Sequence, residues 1–373
     1  MEIKTHLLIL QSTSFCNINC TYCYLPDRNI KSKFELSLLP IIWKNLRESN
    51  LLGDKIDICW HAGEPLVLSA SYYEEAIKIL NSENIDNVKI NYHIQTNGML
   101  ISNEFCNLFK KYKVNIGVSI DGPEQINDMK RVKRNNRGSY LETMRGILLL
   151  KSHGIPFTVI AVVTDATLNH IDEFLEFFKN IGAAQIGVNV EEIEAENIKS
   201  SVLTSSENKE AYHHLINGLY DLQVKHRVGV REINHSLQKI VFAPDDKEVY
   251  DSQSFPFSII SVDSEGNYST FSPELLSATH PNYGNFIFGN VKSEKFIDSY
   301  KNATFNRINQ DIQTGIEMCK AECDYYNVCG GGAPSNKLFE NGTFASTTTN
   351  YCRWHIKELL DIIADRLEND DNQ

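Results

Sequence analysis

The stretch Ser14–Tyr24, SFCNINCTYCY, places Cys16, Cys20 and Cys23 in a C-x3-C-x2-C spacing just after the first apolar run, and this triplet decides how the rest of the chain reads. Three thiolates crowded into eight residues converge on an inorganic centre more readily than they pack as a core. An iron–sulfur cube takes four ligands, so one held by three cysteines keeps an iron open to a small molecule. A structural zinc site is the competing reading, but it wants four closed ligands. No His or Cys follows closely enough to complete one.

At 373 residues the chain is long enough for two domains, or for one barrel with an appended module. Its 42% hydrophobic and 23% charged residues are ordinary for a globular protein. The net charge of −12 argues against a nucleic-acid partner, which needs a concentrated basic face. The one strong basic run, KRVKRNNR over Lys130–Arg137, reads as a solvated loop ahead of a binding patch. The N-terminal MEIKTHLLILQSTSF holds too short an apolar run for a signal peptide, so the chain reads as cytoplasmic, with no membrane partner. Nine cysteines, seven of them in two tight groups, then point to metal ligation rather than disulfides. Cys59 and Cys106 sit alone in apolar segments and read as buried packing.

Up to about residue 225, short β-rich runs alternate with longer amphipathic ones, the pattern of βα units around a parallel sheet. Six strands are expected, over Thr5–Gln11, Lys55–His61, Val88–Gln95, Val114–Ile120, Phe157–Val163 and Gln185–Val190. Helices are expected over Leu36–Asn50, after a capping box at Ser71-x-x-Glu74, over Glu104–Lys111, Ser139–Ser152 and His170–Ile181, and over Glu207–Val224 behind Thr204-x-x-Glu207. Six units do not close an eight-stranded barrel, and a doubly wound sheet is the alternative. Polar motifs at successive strand ends favour an open barrel, where those ends meet at one mouth.

Those motifs are Cys59–Pro65 (CWHAGEP), Gln95–Gly98 (QTNG) and Ser119–Pro123 (SIDGP), the last followed by Asp128-x-x-Arg131. Asn-Gly and Asp-Gly also favour turns on their own account. His61 reads as hydrogen-bonded scaffolding. Near the C-terminus, Cys319-x3-Cys323-x5-Cys329-x22-Cys352 marks a second metal centre, with Gly330–Gly332 permitting close backbone packing. A four-thiolate zinc site is the alternative there.

The triplet and the strand-end elements together resemble the signature of the radical S-adenosylmethionine (SAM) superfamily. The resemblance implies a partial (β/α)6 TIM-type barrel of α/β class, in which a [4Fe–4S] cluster on Cys16, Cys20 and Cys23 binds SAM for reductive cleavage to a 5′-deoxyadenosyl radical. By the same resemblance Gly63 and Glu64 receive the SAM ammonium, although Ala62 stands where Gly is common. Ser119 and Arg131 bind its carboxylate, the planar fork of Arg131 matching a carboxylate. Asn97 orients the ribose or methionine part, Val162 packs near the adenine, and Tyr22 joins the SAM-binding set.

The second cysteine group resembles the SPASM extension of radical SAM peptide and protein maturases, which usually holds two auxiliary clusters. Here the upstream cysteine pair is missing: Ser261–Thr270 keeps hairpin wording but no thiol, and Ala333 replaces the fourth cysteine of the central run. The losses fall on one cluster, so one auxiliary [4Fe–4S] cluster is expected, on Cys319, Cys323, Cys329 and Cys352, for electron transfer or structural support. The expected division is a barrel over 1–225, a linker over 226–255 and a SPASM-like domain over 256–373. The C-terminal wording, with Phe271–Leu275 (FSPEL), further resembles maturases of glycine-rich repeat peptides that form cyclophane crosslinks. That implies a ribosomal precursor peptide as substrate, a reductant such as flavodoxin or ferredoxin, and a base, for which Glu274 and Asp263 are the candidates. With little chain before Thr5, the leader is expected to bind the barrel, an exposed sheet edge in the linker or another chain.

Overall fold

Six parallel strands alternate with helices from the N-terminus onward: β1 (Leu7–Leu10), β2 (Lys55–Trp60), β3 (Lys89–Thr96), β4 (Asn115–Ser119), β5 (Phe157–Val163) and β6 (Gln185–Val190). The computed structural model of the chain describes residues 3–202, 208–241 and 249–370. The Thr204-x-x-Glu207 capping signal falls outside the described residues. Each strand pairs in parallel with the next, from β1 with β2 through to β5 with β6. All six run the same way, so their C-terminal ends, and the motifs that follow them, share one rim.

The helices bury the faces that the spacing marks. Leu38–Glu48 turns Leu39, Ile42, Trp43 and Leu46 onto the sheet, and Ile171–Ile181 does the same with Phe174, Phe178 and Ile181. The helix Ala70–Glu83 is capped by Ser69, whose Oγ accepts from Tyr72 N at 3.3 Å, and not by Ser71. Two residues separate the expected cap from the one used.

Beyond the barrel, the expected hairpin forms as β7 (Ile259–Val262) and β8 (Asn267–Thr270), paired antiparallel. β7 also pairs in parallel with β1, from Leu7 opposite Ile259 to Leu10 opposite Val262. Two-residue strands follow: β9 (Thr279–His280) and β10 (Gly284–Asn285) pair with each other, and β11 (Gly289–Asn290) pairs with β8. Among the described residues one nine-stranded sheet therefore runs β11-β8-β7-β1-β2-β3-β4-β5-β6. The C-terminal region continues the barrel's sheet and is not a separate layer.

The described part of the expected linker is also structured. Val230 bridges Ile186 of β6 in parallel register, Glu232 Oε2 accepts from Val188 N at 2.8 Å, and a helix spans Arg231–Val241. The stretch expected to offer a free sheet edge is thus itself paired to β6 at 229–230. The last helix, Leu359–Asp370, returns to the barrel: Arg366 Nη2 lies 2.6 Å from Asp221 of the helix Lys209–Val224. No helix of the described residues is long and apolar enough to cross a membrane.

Candidate active site

A cavity of about 280 Å³ opens at the rim where β2 to β6 end. Cys16, Cys20 and Cys23 line it, and so do Tyr22, Gly63, Glu64, Asn97, Ser119, Arg131 and Val162. The strand ends bring together, from positions 16 to 162, the whole set expected to hold the cluster and SAM.

The cysteine loop is clamped from several sides. Glu64 N donates to Phe15 O at 2.8 Å. Gly63 has φ +61, and a Cβ there would lie 2.4 Å from Thr13 O and 2.7 Å from Phe15 O, so no other residue fits against the loop. Ala62 shares the left-handed conformation at φ 69, strained for a residue with a Cβ. The loop's other flank is the basic run: Asn19 N donates to Val132 O at 2.7 Å and Thr21 N to Lys130 O at 2.9 Å.

Glu64 lines the cavity and is also engaged by the protein. Its buried carboxylate accepts from Leu66 N (2.9 Å), Thr96 Oγ1 (2.6 Å) and Asn97 N (2.8 Å), tying the β2 exit to the β3 exit. Burial raises its pKa, and these donors oppose the rise. Asn97 is similarly engaged, donating from Nδ2 to Asn17 Oδ1 at 2.7 Å and so fastening β3 to the cysteine loop. Ser119 Oγ accepts from Gln95 Nε2 at 2.7 Å.

Arg131 is buried at 7% exposure and donates to Tyr22 Oη at 2.7 Å. Tyr22 in turn donates to Asp121 Oδ2 at 2.6 Å, while Asp121 Oδ1 accepts from Val162 N at 3.0 Å. Asp121 and Arg131 stand 3.8 Å apart. This buried triad places Arg131 on the cavity wall with its charge balanced, and Asp121 is a member that the sequence reading passed over. The Asp-Gly turn signal at the β4 exit masked it. Asp128 points elsewhere: its Oδ1 accepts from Ser139 N and Tyr140 N, both at 2.9 Å.

The two base candidates separate. Glu274 lines the cavity, delivered by the 3-10 turn Pro273–Ser277. Just before it the backbone bends at Phe271, a buried bulky residue at φ 74. Asp263 does not line the cavity. Its carboxylate closes the β7–β8 turn, accepting from Glu265 N (2.8 Å), Asn267 N (2.9 Å) and Asn267 Nδ2 (2.9 Å). Local turn chemistry takes that side chain.

Beside Glu274 stand Glu192 and Glu194, from the loop after β6, which the sequence reading also missed. Glu192 accepts from Asn336 Nδ2 at 2.6 Å. Burial is the main cause that raises the pKa of all three carboxyls, and the charge of Glu192 adds to the rise at Glu194 and Glu274. The run Glu191-Glu192-Ile193-Glu194 at a strand exit was the available signal. His61 lines the same cavity, and burial lowers its pKa.

The second cysteine group gathers as well: Cys319, Cys323, Cys329 and Cys352 line one cavity. Cys319 lies in the last turn of the helix Ala303–Glu322, whose C-cap is Cys323, and Cys352 opens a π-helical stretch, Cys352–Glu358. Gly330, Gly331 and Gly332 all have positive φ, which folds the backbone tightly around Cys329. Lys337, buried at 4% exposure, donates from Nζ to Gly315 O at 2.9 Å and to Cys319 Sγ at 3.4 Å. Of the two isolated cysteines, Cys106 is fully buried and Cys59 half-buried.

Residues 10–178 match the family model of the radical SAM superfamily. An uncharacterized protein of Synechocystis sp. is 38% identical over 370 residues, covering 98% of this chain and 92% of its own. The chain belongs to the radical SAM superfamily. The cysteine-type anaerobic sulfatase-maturating enzyme of Clostridium novyi is 27% identical over 350 residues, 90% of each chain. In fold, this radical SAM enzyme is similar to anSMEcpe with AdoMet and the peptide Cp18Cys bound (TM-score 0.80, 21% identity, 99% of both chains). It is also similar to Streptococcus suis SuiB bound to the precursor peptide SuiA (TM-score 0.63, 14% identity, 94% of this chain and 76% of that one).

The donor sets fit the cofactors of the family, SAM and [4Fe–4S] clusters. Burial pushes the Cys16 thiol up to about 12 and the Cys20 thiol up to about 11, so both are protonated in a bare site and gain a cation in place of the proton on metallation. Among the described residues no three Cys, His, Asp or Glu side chains draw close enough to ligate a single ion. In both groups the thiols line one cavity, as ligands at the corners of a cube would.

Proposed function

We propose that this radical SAM enzyme modifies a ribosomally synthesised precursor peptide, joining an aromatic ring carbon to the β-carbon of a nearby residue. One observation carries the reading: Glu274, from outside the barrel, lines the same cavity as the cysteine triplet and the expected SAM contacts. SAM on a three-thiolate [4Fe–4S] cluster supplies a 5′-deoxyadenosyl radical once one electron is delivered. Cys16, Cys20 and Cys23 would hold that cluster, and Arg131, braced by Tyr22 and Asp121, would hold the SAM carboxylate. The peptide enters over Glu192, Glu194 and Glu274, loses hydrogen from a Cβ–H, and its carbon radical adds to a ring of the same peptide. Glu274 takes the ring proton; a cluster at the four-thiolate site, which Cys319, Cys323, Cys329 and Cys352 would hold, would supply an acceptor for the electron released with it. A base near neutral pKa suits that step.

A second reading, sulfatase-type maturation, is supported by the similarity to the Clostridium novyi enzyme over nine-tenths of both chains. One experiment separates the two. The enzyme is co-expressed with the short peptide encoded beside its gene, and the product is fragmented by mass spectrometry. Loss of two hydrogens with a link to an aromatic residue supports the crosslink. Change confined to a single Cys or Ser supports the sulfatase-type reading.

A further inference from the structure

Of the basic run Lys130–Arg137, Arg131 turns inward to the SAM site, while the exposed cations Arg134 and Arg137 have no part in the SAM site or the peptide chemistry. In the fold the run lies against the outer side of the cysteine loop, bridging at Lys133 to Ile18. Arg134 donates from Nε to Cys16 O at 2.7 Å and stacks on Phe15, its guanidinium 5.0 Å from the ring centre. Lys31 covers the same ring at 5.5 Å. Arg28 donates from Nη1 to Cys20 O at 3.0 Å. Cations at the surface thus touch the backbone of two cluster ligands directly.

The charge balance of this face is one-sided. Lys130 and Lys133 are neutralised by Asp165 (3.0 Å) and Glu142 (2.5 Å). Lys31, Lys33, Arg134 and Arg137 are exposed, and among the described residues none of them has an ion-pair partner. Within 28–34 and 129–137 there is no acidic residue, in a chain whose net charge is −12; Asp27 and Glu35 border the first stretch, and Asp128, which borders the second, accepts from Ser139 N and Tyr140 N. A concentrated positive face on an acidic protein steers acidic partners to one place and repels them elsewhere.

We propose that this face, built from Arg28, Lys31, Lys33, Arg134 and Arg137, is the docking surface for an acidic one-electron carrier protein that reduces the SAM-binding cluster. In each encounter the carrier gives up one electron and the cluster gains it. A flavin carrier leaves as the neutral semiquinone from its hydroquinone anion, and no proton moves. The cysteine loop offers a direct route inward, because Arg134 and Arg28 already contact the carbonyls of Cys16 and Cys20. Encounters of this kind are small and held mainly by charge, which suits exposed Lys and Arg on a loop. The surface is independent of which bond is made in the peptide, since SAM cleavage is read without any peptide present.

The test uses the reconstituted holoenzyme and the triple variant Lys31→Glu/Lys33→Glu/Arg137→Glu, with Lys31→Gln/Lys33→Gln/Arg137→Gln as a milder partner. Formation of 5′-deoxyadenosine is measured with dithionite, with reduced flavodoxin and with reduced ferredoxin, at several salt concentrations. The expected result is that dithionite-driven cleavage and iron content stay at wild-type values. The half-saturating concentration of at least one carrier rises about tenfold or more in the Glu variant and less in the Gln variant, and wild type weakens with salt as the variant does not. Unchanged half-saturation with both carriers overturns the proposal and leaves the face to another acidic ligand, such as a peptide leader. Equal loss with dithionite and carriers also overturns it, because the substitutions then act on the cluster itself.

Discussion

The ammonium of Lys337 points at the sulfur of Cys319 from 3.4 Å away, inside the protein. A cation donating to a ligand sulfur favours the more negative, reduced state of a cluster and raises its potential. Lys337→Met should lower the potential of the four-thiolate site by about 60 mV or more, the equivalent of a tenfold change in a one-electron equilibrium. Redox titration followed by electron paramagnetic resonance reads the shift, and an unmoved potential would show that the contact has no electronic effect.

Tyr22→Phe removes the hydroxyl that joins Asp121 to Arg131. Both charged groups stay buried with a partner lost, at a cost of about 1–3 kcal/mol. The variant should unfold earlier in urea and bind SAM less tightly, by calorimetry, because Arg131 is no longer held in place. Arg131→Lys should weaken SAM binding further, since an ammonium does not reproduce the guanidinium fork.

Glu274→Gln gives two signals of opposite direction. SAM cleavage should continue while modified peptide falls, and the rise in product formation with pH expected of wild type should disappear. Burial pushes the Glu274 carboxyl up from the ordinary range to about 7. A raised carboxyl favours folding while protonated, and that contribution is lost as pH climbs from the unfolded value through the folded one. Glu274→Gln should therefore melt above wild type at pH 8 and close to it at pH 5. Full product yield from the variant would remove Glu274 as the base.

Gly63→Ala and Ala62→Gly should move apart although they are neighbours. The first drives a Cβ into the carbonyls of Thr13 and Phe15, and the iron bound per chain should fall before the fold is lost. The second relieves a left-handed alanine and should stabilise by about 0.5–1 kcal/mol. Iron assay and thermal melting read both. The wild-type protein, purified without oxygen, should be brown and carry about eight irons if both sites hold [4Fe–4S]; two zincs in a colourless protein would count against the cluster assignment.

Much of the site was legible because barrel geometry converts order along the chain into proximity at a rim. The expected strands fall within a few residues of β1 to β6, and every expected SAM contact lines the cavity. What escaped depends on long-range or competing local forces. Tyr22 meets Arg131 across 109 positions, a contact with no periodic signature. The parallel pairing of β1 with β7 joins Leu7 to Ile259 and is equally silent in sequence. Asp263 failed as a base because a tight turn claims its carboxylate first. Ser71 failed as a cap because Ser69, two residues earlier, already has the extended backbone that a cap needs.

The seam between β1 and β7 gives the hairpin a structural task that needs no thiol. Without β7, the first barrel strand would present a row of bare amides and carbonyls, an invitation to aggregate. The hairpin over Ile259–Thr270 seals that margin whatever metal its neighbourhood carries. An excised barrel should accordingly be insoluble, and both cysteine groups should melt together as one cooperative body.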